Sequence, residues 1–226
     1  MPTARETLLN AAHVAVRARP WTVVRMVDVA AAAGVSRQTL YNEFGSKEGL
    51  GAALVSHLVE DFLDGAGRAV TEARRDGADP AACCAAAAHW VLRTARSEPI
   101  VHAALTGCWG SRMPLPARPL APATASWAAG RTVPGEPEQL ARVLCDRAVR
   151  GLERAVRLPV GHHPVRRGPV ADGSTCGGGR DRQELAHAYE TGLRVALSYV
   201  VAPCGGRDDE EPCGRVDQVV RAMLAR

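Results

Sequence analysis

Five polar side chains crowd into six positions of the stretch GVSRQTLYNEFGS: Arg37, Gln38, Thr39, Tyr41 and Asn42. Their types suit one kind of chemistry, recognition of a duplex by hydrogen-bond donors. An arginine can grip a guanine edge with two bonds, and glutamine or asparagine can do the same to adenine. Thr39, Tyr41 and, slightly downstream, Lys47 suit phosphate oxygens, contacts that hold register without reading bases.

Other reactive residues are less well arranged. His162, His163 and Cys176 are metal-ligand types, but they lie far apart in a glycine-rich stretch that reads as a loop over residues 161–182. Cys83 and Cys84 sit in an alanine-rich run and read as core filler. Cys108, beside Trp109, is the thiol placed to meet oxidants or electrophiles. His89, Trp90, His102, Trp109 and Trp127 are candidates to line a pocket for a largely apolar effector, with ordinary core as the competing reading. No Ser-His-Asp arrangement or metal-ligand helix is present, and Gly177–Gly179 does not follow a strand, so a dinucleotide site fails. No catalytic residue, metal or cofactor is expected.

What positions the polar stretch is a set of helices. Hydrophobic residues make up 46% of the 226, while aromatics are only 4%, so alanine and leucine must fill the core, which favours packed helices over sheets. The fold class expected is all-α. The net charge of +4 permits a nucleic-acid partner without demanding one. Seven scattered cysteines without a CxxC pair argue against disulfides, and no run approaches the roughly 20 apolar residues that span a bilayer. A cytoplasmic protein with no membrane partner is expected.

The periodicity predicts a first helix over 4–18, opened by Thr3 and Glu6 in capping-box spacing and closed before Pro20. A second covers 27–33, ended by Gly34. Ser36 is the expected N-cap of a third, with Val35 and Leu40 as its hydrophobic staple, and Gly45 ends it near Phe44. Ser46 caps a long fourth helix in which Leu50, Leu54, Leu58 and Phe62 recur every fourth residue. Further helices are expected over 81–95, 99–105, 137–157, 184–201 and 215–225, with at most a brief one at 123–129. Two short helices joined by a glycine turn and braced by a third make a helix-turn-helix. Ala30, Val35, Leu40 and Phe44 face inward and fix the angle of a short reading helix.

Residues from about Thr3 to Val55 resemble the DNA-binding domain of TetR-family transcriptional regulators. The carrying residues are Met26–Ala30 (MVDVA), Ala33-Gly34-Val35-Ser36, Thr39-Leu40-Tyr41, Phe44 and Ser46-Lys47-Glu48 before Leu50. The resemblance implies a DNA-binding domain over 1–48 and a helical ligand-binding and dimerisation domain over 49–226. By the same resemblance Arg37 and Gln38 meet base edges, and Thr39, Tyr41 and Lys47 meet phosphates. The DNA-facing set becomes Arg25, Ser36, Arg37, Gln38, Thr39, Tyr41, Asn42 and Lys47. Arg25 stands where the family often has a capping threonine; arginine can bind phosphate but cannot cap. Glu43 stands where a basic residue is frequent, and must turn away from phosphate or accept from a cytosine amine.

The implied function is a one-component regulator, a repressor by resemblance, binding a pseudo-palindromic double-stranded operator as a homodimer and answering to a small-molecule effector. Pairing is expected through the helices at about 138–157 and 184–201, with the long fourth helix as lever. Two alternatives remain: a thiol- or metal-responsive regulator with the same DNA-binding head, and a helical small-molecule carrier that has lost DNA binding.

Overall fold

The computed structural model describes residues 2–117, 136–157, 177–203 and 210–225. Among them every regular element is helical: α1 (Ala4–Ala18), α2 (Met26–Ala32), α3 (Arg37–Phe44), α4 (Lys47–Arg75), α5 (Pro80–Ser97), α6 (Pro99–Thr106), α7 (Pro137–Arg157), α8 (Gly177–Val201) and α9 (Glu210–Leu224), with a 3-10 turn at Trp21–Val23. The chain divides into two compact units, Met1–Phe62 with Ser97–Leu140, and Leu63–Arg96 with Ala141–Arg226.

In the first unit, α1 begins where the sequence says it must. Thr3 Oγ1 accepts from the Glu6 amide at 3.2 Å while the Glu6 carboxylate accepts from the Thr3 amide at 2.7 Å, so two otherwise orphaned N–H groups are satisfied reciprocally. Leu8, Leu9 and Ala12 bury one face of this helix, and α2 and α3 pack against it through Val29, Ala30 and Leu40. The turn between α2 and α3 needs a left-handed residue, which Gly34 supplies at φ 69°. Glu98, just before α6, is gripped by α1: its carboxylate accepts from Arg17 at 2.6 Å and lies 2.9 Å from His13 Nε2.

In the second unit the core is alanine, leucine, valine and buried cysteine, and no polar or charged side chain is buried among the described residues. Tyr189 of α8 is fully enclosed, and its hydroxyl donates to the Pro80 carbonyl at 2.8 Å, so its one polar atom is satisfied. Arg221 of α9 donates to Asp79 at 2.6 Å, tying the last helix to the start of α5.

Two ends depart from the sequence reading. The loop expected over 161–182 stops short, because α8 already begins at Gly177. Its first turns are glycine-rich and poor in intrinsic propensity, but Arg182 reaches the Glu153 carboxylate of α7 at 2.7 Å, a tertiary contact that local pattern does not reveal. Helix α9 starts at Glu210 rather than 215. Glu210 and Glu211 occupy its first turn, where the helix dipole favours anions, and Pro212 is tolerated there because its missing N–H would be unpaired anyway. The expected helix at 123–129, the residues between 158 and 176, and with them Trp127, His162, His163 and Cys176, lie outside the described residues.

Candidate nucleic-acid interface

Helix α3 is short, eight residues, and divided by side. Leu40 is fully buried, with Val35 before it half-buried, as is Phe44 at its end. Removing a side chain as enclosed as Leu40 would cost about 2–5 kcal/mol. Ser36 caps the helix by accepting from the Thr39 amide at 3.0 Å, and its hydroxyl lies 2.9 Å from that of Thr39. Gly45 closes it at φ 70°.

The opposite side is open. Arg37, Gln38 and Asn42 are exposed, Tyr41 is 49% exposed and Thr39 is half-buried. Gln38 and Asn42, one turn apart, bond to each other: the Gln38 amide donates to the Asn42 side-chain carbonyl at 2.8 Å. The pair keeps a free acceptor on one side chain and free donors on the other, whichever way the two amides are oriented. Arg25 is exposed at the head of α2 and makes no side-chain cap there, as expected of an arginine.

Lys47 is more constrained than an exposed phosphate ligand. Its ammonium donates to the Thr22 carbonyl at 3.1 Å and sits 5.4 Å from the centre of the Trp21 ring, which leaves further N–H donors for a second partner. Ser46 caps α4 by accepting from the Gly49 amide at 3.1 Å. The Glu48 carboxyl is held below the usual range, first by its own backbone N–H and then by the Ser46 hydroxyl.

Sequence reasoning missed Arg5. From α1 its guanidinium lies 4.7 Å from the centre of the Phe44 ring and 3.7 Å from the Glu43 carboxylate. The acidic residue of α3 therefore has a counter-charge from a neighbouring helix. The two residues are 38 positions apart, so no local pattern signals the contact.

This geometry of a capped, half-buried rod with an outward donor face is matched by comparison. Residues 8–54 fit the family model for bacterial regulatory proteins of the tetR family. These residues match the DNA-binding domain of that family. The HTH-type transcriptional regulator AlkX of Mycobacterium tuberculosis is 42% identical over 60 residues, a stretch that is 26% of this chain and 28% of that protein. Among solved structures, the TetR family repressor AlkX from Dietzia sp. strain DQ12-45-1b, implicated in biodegradation of n-alkanes, aligns with a TM-score of 0.53 at 17% identity, covering 99% of this chain and 96% of that one. That likeness carries the fold, and the fold only, beyond the residues that the family model matches. A TetR transcriptional regulator from Rhodococcus sp. RHA1 aligns at TM-score 0.46 and 16% identity, over 99% and 97% of the two chains.

The residues expected to meet an effector are dispersed. His89, exposed, and Trp90, half-buried, line a surface cleft of about 470 Å³ in the second unit. Trp90 packs against Gly65 of α4, and the Arg93 guanidinium lies 5.3 Å from the centre of its ring. His102 and Trp109, both half-buried, belong to the first unit. Burial raises the thiols of Cys83, Cys84 and Cys145 above the usual range, that of Cys145 to about 12, which makes them poor thiolates. Cys108 is exposed. No group of three or more metal-binding side chains occurs among the described residues. No helix among them is long and apolar enough to cross a membrane.

Proposed function

We propose that the regulator binds a pseudo-palindromic operator as a dimer, represses transcription there, and is released by a largely apolar small molecule. The observation that carries the reading is the two-sidedness of α3: Leu40 fully buried, Arg37, Gln38 and Asn42 exposed on the other flank. A major groove admits one helix, and such a rod presents its donors to base edges while its neighbours fix the angle. Arg37 and Gln38 read bases, with Asn42 beside them. Arg25, Ser36, Thr39, Tyr41 and Lys47 hold the phosphates.

Two copies pair through α7 and α8, and that pairing sets the distance between the two α3 helices to one turn of DNA or a multiple. The effector acts by preferring a conformer with the wrong distance, and its leverage equals its differential affinity for the two conformers. Trp90 contacts it from the wall of a surface cleft whose rim carries His89, Arg68, Glu72, Asp76 and Arg93. The absence of buried charged or polar side chains among the described residues favours an apolar ligand over a charged one within the helical core.

The test is selection of bound fragments from the source genome, followed by affinity measurements across salt concentrations. Log affinity should fall linearly with log salt as phosphate counterions are released. If no duplex is bound even at low salt, the reading is wrong and a helical carrier that has lost DNA binding replaces it.

A further inference from the structure

The second unit contains a concentration of positive charge that the regulator's DNA-binding domain does not account for. Helices α4 and α7 approach until their backbones touch: a Cβ on Gly151 would lie 2.5 Å from the Gly67 carbonyl oxygen, and one on Gly67 would lie 3.2 Å from that of Arg147. Thr71 sits across the seam, its hydroxyl 2.8 Å from the Gly67 carbonyl and 3.1 Å from that of Gly151. Because the backbones are this close, side chains from both helices enter one cleft of about 410 Å³.

Four of the side chains lining it are arginines, Arg68 and Arg75 from α4 and Arg147 and Arg154 from α7, against two carboxylates, Asp64 and Glu72, so the count is 4 − 2 = +2. Asp64 is already engaged by Arg147. The Arg154 Nε donates to a backbone carbonyl, that of Arg150 at 3.3 Å, rather than to an acid. Arg68 and Arg75 are exposed and have no ion-pair partner among the described residues. Elsewhere the exposed arginines Arg194, Arg215 and Arg221 each hold a carboxylate one turn away.

We propose that this cleft binds a compact phosphorylated small molecule. Guanidinium forks arriving from two helices suit a tetrahedral group, which offers oxygens in several directions; a planar carboxylate is satisfied by a single fork. Glu72, between Arg68 and Arg75 on the same helix, pairs with neither and is the carboxylate whose charge opposes such a dianion. Binding neutralises the excess charge and links α4 to α7.

The experiment uses the 226-residue chain without DNA and inorganic pyrophosphate as probe, so its outcome is independent of the operator reading. Calorimetry and thermal melting are compared with chloride at matched ionic strength. Pyrophosphate should bind and raise the melting temperature beyond the chloride control. Arg68→Ala combined with Arg75→Ala should weaken binding by roughly tenfold or more, as expected when two charge-assisted contacts are lost. Arg194→Ala, which removes a positive charge elsewhere, should leave it unchanged, and Glu72→Gln should tighten it. Wild-type protein indistinguishable from the chloride control, a double variant that binds as well as wild type, or bound pyrophosphate competed off by random duplex DNA would each overturn the proposal, the last by assigning these arginines to nucleic acid.

Discussion

Arg5 and Glu43 form a bridge between α1 and α3, with the guanidinium 3.7 Å from the carboxylate and also lying over the Phe44 ring. Both side chains are well exposed, so the pair is worth at most about 1 kcal/mol to stability. Its larger consequence is electrostatic. Without Arg5, a bare carboxylate would stand on the helix proposed above to enter the DNA groove.

Arg5→Ala is therefore expected to leave the melting temperature nearly unchanged while weakening operator binding by up to roughly tenfold, about 1.4 kcal/mol. Adding Glu43→Gln should recover most of the loss, because the uncompensated charge disappears with it. Fluorescence anisotropy on a labelled operator reads both. A double variant no better than Arg5→Ala would show that Arg5 contacts DNA itself.

On the open flank of α3, Arg37→Ala should cost about 1–3 kcal/mol on the cognate operator and relax preference at one base pair. Gln38 and Asn42, bonded at 2.8 Å, should behave as one unit. Alanine at either position frees the other to rotate, so the two single losses should sum to more than the loss in the double variant. Additive losses would mean the two amides work independently, and an equal Arg37 loss on every sequence would make Arg37 a phosphate ligand.

The α4–α7 seam gives a stability prediction with an internal control. A methyl at Gly151 would meet the Gly67 backbone at 2.5 Å, and backbone cannot swing aside as a side chain can. Gly151→Ala should cost about 1–3 kcal/mol in urea unfolding. Gly214→Ala, within α9 and facing nothing within 4 Å, should instead stabilise by about 0.5–1 kcal/mol through helix propensity. Similar signs for both would show that the seam is not backbone-limited.

The contrast between those two glycines also says what a sequence can carry. Features set by neighbours in the chain were legible: the Thr3–Glu6 box opening α1, Ser36 and Gly45 bounding α3, and the burial of Leu40 beneath an exposed Arg37. Helix α7 was bounded at 137–157 by its period alone. Contacts between distant helices were not legible. Nothing near Glu43 announces Arg5, nothing near Gly151 announces Gly67, and Lys47 bonded to the Thr22 carbonyl depends on how the 3-10 turn at Trp21 folds back. The early start of α9 is an intermediate case, because acidic residues ahead of Pro212 were a usable N-terminal signal.

Thiol chemistry separates two modes of control. Cys83, Cys84 and Cys145 are buried and their thiols are raised, so at pH 8 they should react slowly with a disulfide reagent. Among the described cysteines, exposed Cys108 should be modified first, as mapped by peptide mass spectrometry. Cys108→Ser should leave operator release by an apolar effector intact. Loss of that release in the serine variant would favour a thiol-responsive regulator.

The tie between α9 and α5 should be pH-dependent. Asp79 accepts from Arg221, and from the Ala82 amide at the start of α5, and the Arg221 hydrogen bond is the larger cause of its lowered carboxyl pKa. A carboxyl whose pKa is lower in the folded state contributes stability that is complete above its unfolded pKa, about 3.9, and lost as pH falls through the folded value. Wild-type protein should thus be more stable than Asp79→Asn at neutral pH, and the gap should close on acidification below about pH 4. Urea unfolding followed by circular dichroism at stepped pH measures it. Because asparagine can still accept from the Ala82 amide, what closes is the Arg221 share, so Arg221→Gln should show the same pH profile as Asp79→Asn. A gap that stays constant down to pH 2 would mean that the tether acts through packing and not through charge.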